Sequence, residues 1–122
     1  IKIFNSVLNT KDALWNSKNM YVKDTELIGE YLAWYSENLT LENCKISGTQ
    51  PFCYCKNLKL INCTMENCDF AFEFSDVDAD VHSHVISIKN VLSGKVIVDS
   101  VGQIINEDQV YPCNGTVEIR KK

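Results

Sequence analysis

The sequence is short of arginine, of proline and of long apolar runs, and each shortage excludes something. Its one arginine, Arg120, stands near the end of 122 residues, so no planar guanidinium fork for a carboxylate or phosphate substrate exists elsewhere. Lys and Arg number 12 against 16 Asp and Glu, a formal net charge of −4, which leaves no basic footprint for nucleic acid. No stretch approaches the roughly 18 apolar residues of a membrane-spanning helix, and Ile1 opens no signal-peptide pattern, so no membrane partner is expected. With two prolines and 45% hydrophobic residues the chain is not disordered. The length allows one domain whose core needs no covalent staples.

What is present is a repeat. Sliding the chain against itself by 19 positions aligns Asn19, Asn38, Asn57 and Asp76 in one column, and Asn5, Asp24, Asn43 and Asn62 in a second. Between them fall apolar pairs with a one-residue gap: Ile1/Ile3, Met20/Val22, Leu39/Leu41, Leu58/Leu60 and Val77/Ala79. Thr25/Leu27, Cys44/Ile46 and Cys63/Met65 follow the second column, while Trp15/Ser17, Trp34/Ser36, Cys53/Cys55 and Phe72/Phe74 precede the first. Three short stretches per unit thus alternate with period two, the mark of strands with one buried face. Units this short cannot hold the two helices of a helical solenoid. Stacked coils about 4.8 Å apart, each of three short strands, predict an all-β parallel β-helix of roughly six coils.

Asparagine tolerates the left-handed backbone of a sharp corner, and its amide can bond to the Asn above and below, so both Asn columns predict corners with amide ladders. Beyond Val81 the pattern changes content. Keeping the same offset predicts that Val96 and Val98 lie over Val77 and Ala79, and that Val91 and Ser93 lie over Phe72 and Phe74. Residues 1–109 are therefore expected as stacked coils and 110–122 as a capping tail of the same domain. The chain starts in mid-pattern, so its first coil is expected to offer free strand edges through which a homo-oligomer could form.

Gly29-Glu30-Tyr31-Leu32-Ala33-Trp34, the repeated Asn-Leu-x-Leu-x-Asn-Cys at 38–44 and 57–63, and Ala71-Phe72-Glu73-Phe74-Ser75 together resemble an uncharacterised bacterial family placed among the pectin-lyase-like β-helix proteins. The likeness spans essentially the whole chain, set against the C-terminal half of longer members. It implies a right-handed coil. It brings no catalytic residues, and analogy of fold to carbohydrate-active relatives does not supply them.

Among groups that could do chemistry, the run from Asp76 to His84 is the sharpest. On one extended strand Asp76, Asp78, Asp80, His82 and His84 would share a face, neighbours about 7 Å apart. Asp78, Asp80, His82 and His84 are then the residues to hold a divalent metal, the one cofactor for which the sequence offers a place. Asp76, Asp78 and Asp80 are the carboxylates to pair for glycoside hydrolysis at inverting separation, although a solvated run has no means of keeping one of them protonated. The opposing reading is that Val77, Ala79 and Val81 continue the core while the acids and histidines point to water. Tyr35 and Tyr54 stack in an outward column, an arrangement suited to sugar rings or simply to supporting the sheet.

The six cysteines complete the inventory. Cys44 and Cys63 fall in the inward column of Thr25, and Cys53 and Cys55 in that of Trp15, Trp34, Phe72 and Phe74. Parallel neighbours point the same way, which disfavours bridging, so reduced thiols packed in a narrow core are expected, in keeping with the cytoplasm. The reading that leaves least unexplained is a non-catalytic scaffold or interaction module. A polysaccharide-cleaving enzyme and a glycan-binding surface are the alternatives.

Overall fold

In the computed structural model, which describes residues 1–107 and 111–120, the chain winds into a parallel β-solenoid of about six turns, with no helix among the described residues. Val110, Lys121 and Lys122 of the expected tail lie outside that range. One side of the solenoid stacks β1 (Lys2–Phe4), β3 (Lys18–Lys23), β5 (Glu37–Glu42), the start of β7 (Leu58–Glu66), β8 (Asp76–Val81), β10 (Ser93–Val98) and β12 (Thr116–Ile119). A second side stacks β2 (Val7–Asn9), β4 (Glu26–Ile28), β6 (Lys45–Ser47) and the end of β7, while β9 (His84–Lys89) and β11 (Ser100–Ile105) pair separately.

Both asparagine columns are corners. Asn19, Asn38 and Asn57 have φ between 51° and 56°, as Asn5, Asp24, Asn43 and Asn62 have between 50° and 54°, values that cost Asn less than other side chains. Their amides form the ladders: Asn38 Nδ2 donates to Asn19 Oδ1 at 2.9 Å, Asn57 Nδ2 to Asn38 Oδ1 at 2.8 Å, and Asn43 Nδ2 to Asp24 Oδ1 at 2.6 Å. Between corners the alternating pairs drive inward. Val22, Leu41, Leu60 and Ala79 line the first side and Leu27, Ile46 and Met65 the second, all essentially without solvent contact. Burying such columns removes apolar area from water at roughly 25 cal/mol per Å².

The third side departs from expectation. It is a run of turns, because alternate residues hold left-handed φ values of 50° to 66°: Asp12, Leu14 and Asn16, then Tyr31, Ala33 and Tyr35, Gln50, Phe52 and Tyr54, and Phe70, Phe72 and Phe74. No strand accommodates that backbone. Rung-to-rung hydrogen bonds hold it, among them Tyr31 N to Thr49 O at 3.1 Å, Phe52 N to Leu32 O at 2.8 Å and Tyr54 N to Glu73 O at 2.8 Å. The turns also rotate the tryptophans outward. Trp15 is 45% exposed and Trp34 half-buried, where period-two alternation placed both in the core; Cys55 and Phe72 do pack in the core, while Cys53 and Phe74 are buried outside the core cluster.

The 19-residue register ends at β8. Leu58 pairs with Val77 and Leu60 with Ala79, but Cys63 then meets Val81, so β8 passes in one fewer residue where β7 turns its corner at Asn62. Above that point the offset is 17: Gly94 lies over Val77 and Val96 over Ala79, in place of the expected Val96 and Val98. Val91 likewise stands over Phe74, with Phe74 N bonded to Asn90 O and Leu92 N to Ser75 O, so Val91 and Ser93 do not top Phe72 and Phe74. Gly94 makes the new register feasible, since its φ is 90° and a Cβ there would stand 1.9 Å from Val77 O. The tail does more than cap: β12 pairs in parallel with β10, setting Val117 over Val96.

Candidate functional site

Asp76, Asp78 and Asp80 share the outward face of β8, but the run does not continue along one strand to His84. β8 ends at Val81 and β9 begins at His84, so His84 is carried on the next strand, where its Nδ1 lies 2.8 Å from Ser100 Oγ. Asp76 accepts from Ser93 Oγ at 2.9 Å and from Asn57 N at 3.3 Å, closing the top of the asparagine ladder. Asp78 sits in register between Lys59 below and Lys95 above. Asp80 is held by Arg120 and lies 3.0 Å from His82 Nε2. Arg120 also holds Asp99 and donates to Val81 O at 3.1 Å, a role for the lone arginine that composition and spacing do not mark. Asp76 and Asp80 thus have partners within the sheet, and Asp78 is flanked in register by two lysines. Among the described residues no three His, Cys, Asp or Glu side chains converge as a metal site. Asp76 and Asp78 do border an open recess of about 390 Å³ with Asn57, Gly94 and Lys95.

The thiols lie as expected. All six cysteines are free, and Cys44, Cys53, Cys55, Cys63 and Cys68 are buried. Burial pushes Cys53 and Cys55 up and Cys68 up to about 12, which suits packing better than nucleophilic attack. The stacked pair splits: the thiols donate to carbonyls, Cys44 to Glu42 O at 3.3 Å and Cys63 to Leu41 O at 3.4 Å, and their mutual interaction lowers Cys44 and raises Cys63.

The turn side offers the most developed surface. Tyr35 and Tyr54 stack at 5.0 Å with only 9° between ring planes, and Trp15 and Trp34 stack beside them at 5.6 Å and 15°. Trp34 meets Tyr54 edge-on at 5.6 Å, Tyr54 leans on Phe74 at 5.7 Å, and Phe74 takes the edge of Tyr111 at 5.5 Å. Six aromatic side chains thereby form one continuous band along the solenoid axis. Trp34 is locked by a hydrogen bond from its Nε1 to Gln50 O at 2.6 Å. Beside the band runs a groove of about 510 Å³ lined by Tyr35, Tyr54, Cys55, Lys56, Phe74, Leu92, Tyr111 and Pro112. Partial burial pushes the Tyr54 hydroxyl up, helped by the nearby Glu73 carboxylate.

Of the residues singled out from sequence, Tyr35 and Tyr54 are brought together, whereas the histidines are parted. The contributions of Trp15, Trp34, Phe74 and Tyr111 went unseen. Trp15 and Trp34 recur at the repeat offset and signalled a shared role, but the turn backbone that turns them outward leaves no mark in hydrophobic periodicity.

No helix among the described residues is long and apolar enough to cross a membrane. No curated protein and no solved structure matches the chain. Residues 1–118 match a family described as protein of unknown function (DUF3737), and with nearly the whole chain covered, the protein belongs to that family.

Proposed function

We propose that this solenoid is a non-catalytic interaction module whose working surface is the aromatic band and groove of the turn side. The observation that carries the proposal is the band itself: six aromatic side chains in unbroken contact, on a side where Tyr35, Tyr54 and Phe74 each hold a left-handed φ. Such backbone costs about 1–2 kcal/mol per non-glycine residue, and Gly or Asn would relieve it. A purely structural side has no need of large aromatics there. Asp76 is engaged with Ser93 and the ladder top and Asp80 with Arg120, which favours a structural part for these two acids over acid–base work. The resemblance to pectin-lyase-like proteins is in keeping with a right-handed coil, and the free thiols with a reducing compartment such as the cytoplasm.

Glycan binding is the second reading, favoured by the Tyr35–Tyr54 pair. Sugar rings pack on open aromatic faces, however, and these two rings turn a face onto each other. The test is twofold. Incubated with neutral and acidic polysaccharides, the protein should release no reducing ends, and release abolished by Asp76→Ala or Asp78→Ala would overturn the non-catalytic reading. Titrated with a panel of oligosaccharides and peptides, its tryptophan fluorescence should respond to at least one class, and silence throughout would overturn the binding surface.

A further inference from the structure

We infer that the groove takes an extended, proline-containing peptide segment bearing an acidic side chain, its rings against Tyr54, Phe74 and Tyr111 and its carboxylate at Lys56. This rests on the reading of the turn side as a binding surface. Three features narrow the occupant.

The first is ring geometry. Tyr35 and Tyr54 stack on each other, and Phe74 and Tyr111 meet at 87°, so the groove presents mostly ring edges and narrow slots between rings. Compact proline rings fit such slots, as in other aromatic-lined grooves that take polyproline helices.

The second is hydrogen bonding. The hydroxyls of Tyr35, Tyr54 and Tyr111 bond to no other described residue, whereas that of Tyr21 is committed to Glu42 at 2.9 Å. A polyproline helix has no internal hydrogen bonds and carries free carbonyls, the acceptors that hydroxyl donors require.

The third is charge. Lys56 is the one charged side chain lining the groove, and it forms no ion pair with any described residue. Glu37, its neighbour one rung below, also pairs in register with Lys18, so that column carries a net positive charge. Glu73, the nearby acid, is tied to Lys89 at 3.1 Å. On a chain of net charge −4 the groove end is therefore locally positive and selects an anionic group.

The intact protein is titrated with an oligoproline peptide carrying a central glutamate, read by the fluorescence of the tryptophans beside Tyr35 and Tyr54. Saturable binding is expected, weakened about tenfold or more by Lys56→Glu and by replacing the peptide's glutamate with lysine. Combining Lys56→Glu with the lysine peptide should recover the loss, which a folding defect would not. Tyr111→Ala should weaken both pairings alike. Failure of the glutamate peptide to saturate, or its indifference to Lys56→Glu, overturns the inference. Binding of a neutral or acidic oligosaccharide instead overturns it too while leaving the binding surface standing, and silence toward every ligand overturns both. Self-association in sedimentation that Tyr111→Ala abolishes would make a second copy the occupant and likewise overturn the peptide.

Discussion

The lower and upper halves of the solenoid solve one problem in different ways. From residue 1 to residue 66 the coils repeat at 19 residues, and the corners are held by amides bonded rung to rung. From Asp76 onward the offsets vary, 17 for β8 to β10, 16 for β9 to β11 and 21 for β10 to β12, and neighbouring rungs are tied by charge: Asp80 and Asp99 to Arg120, Lys95 to Glu118 at 2.9 Å. An amide ladder works only where each rung offers the same side chain at the same place. Once β8 drops a residue at the Asn62 corner, no residue from 76 to 89 holds a left-handed φ, and the ladder stops. Ion pairs tolerate a shift in register because long side chains reach across it. Regularity therefore sets the bonding chemistry.

The same division holds for the thiols, and it predicts the largest effect. Cys53, Cys55, Cys63 and Cys68, all raised, lie in the lower coils and at the junction, whereas the upper half has only the half-buried Cys113. Unfolded thiols release their protons near pH 8.5, while Cys68 keeps its own to about 12. Between those values the folded chain binds more protons than the unfolded one, so stability falls as pH rises. The slope is up to about 1.4 kcal/mol per thiol per pH unit. In reductant, hydrogen exchange between pH 8 and pH 11 should show β3, β5 and β7 losing protection ahead of β10 and β12. Equal losses in both halves would remove the thiols as the cause.

The lower half was legible in the sequence because its columns repeat. Leu39/Leu41, Leu58/Leu60 and the Asn corners each occupy the place that an offset of 19 assigns. The upper half was not, since Val96 and Val98 satisfy the old offset with acceptable residues, and an apolar pair carries no record of which rung it tops. Only Gly94 marks the shift, and its meaning depends on Val77 O lying beneath it. The aromatic site was half legible. Tyr35 and Tyr54 stood out as a column, but the facing of Trp15 and Trp34 depends on alternating φ values that side-chain type does not encode.

A smaller effect is expected from Arg120→Ala. It frees Asp80, Asp99 and the Val81 carbonyl together, but both acids have some 40% of their side chains in water. Solvent therefore takes over part of what the arginine did, and a loss of about 1–2 kcal/mol is expected. It should appear as faster exchange in β12 and β10, with the lower coils unchanged. A uniform change along the chain would show instead that the halves unfold as one unit.

The smallest expected differences, between paired variants at one site, separate a left-handed corner of the lower half from a strand position of the upper half by their order. Asn43 has φ of 54°, donates to Asp24 Oδ1 and accepts from Asn62 Nδ2 at 3.2 Å. Asn43→Ala removes both exposed hydrogen bonds and asparagine's tolerance of left-handed backbone, about 2 kcal/mol in all. Asn43→Gly removes the same bonds but relaxes the backbone, so its loss should be smaller by about 1 kcal/mol. Asp80 lies within β8 and is not among the positive-φ residues, so glycine there brings no relief and only the usual penalty of a strand interior. Asp80→Gly should therefore be worse than Asp80→Ala by about 0.5–1 kcal/mol, the reverse of the order at Asn43. Urea midpoints of the four variants decide the point. The same order at both positions would mean that the lower corners are held by their amides alone, with the left-handed backbone contributing nothing to the choice of asparagine.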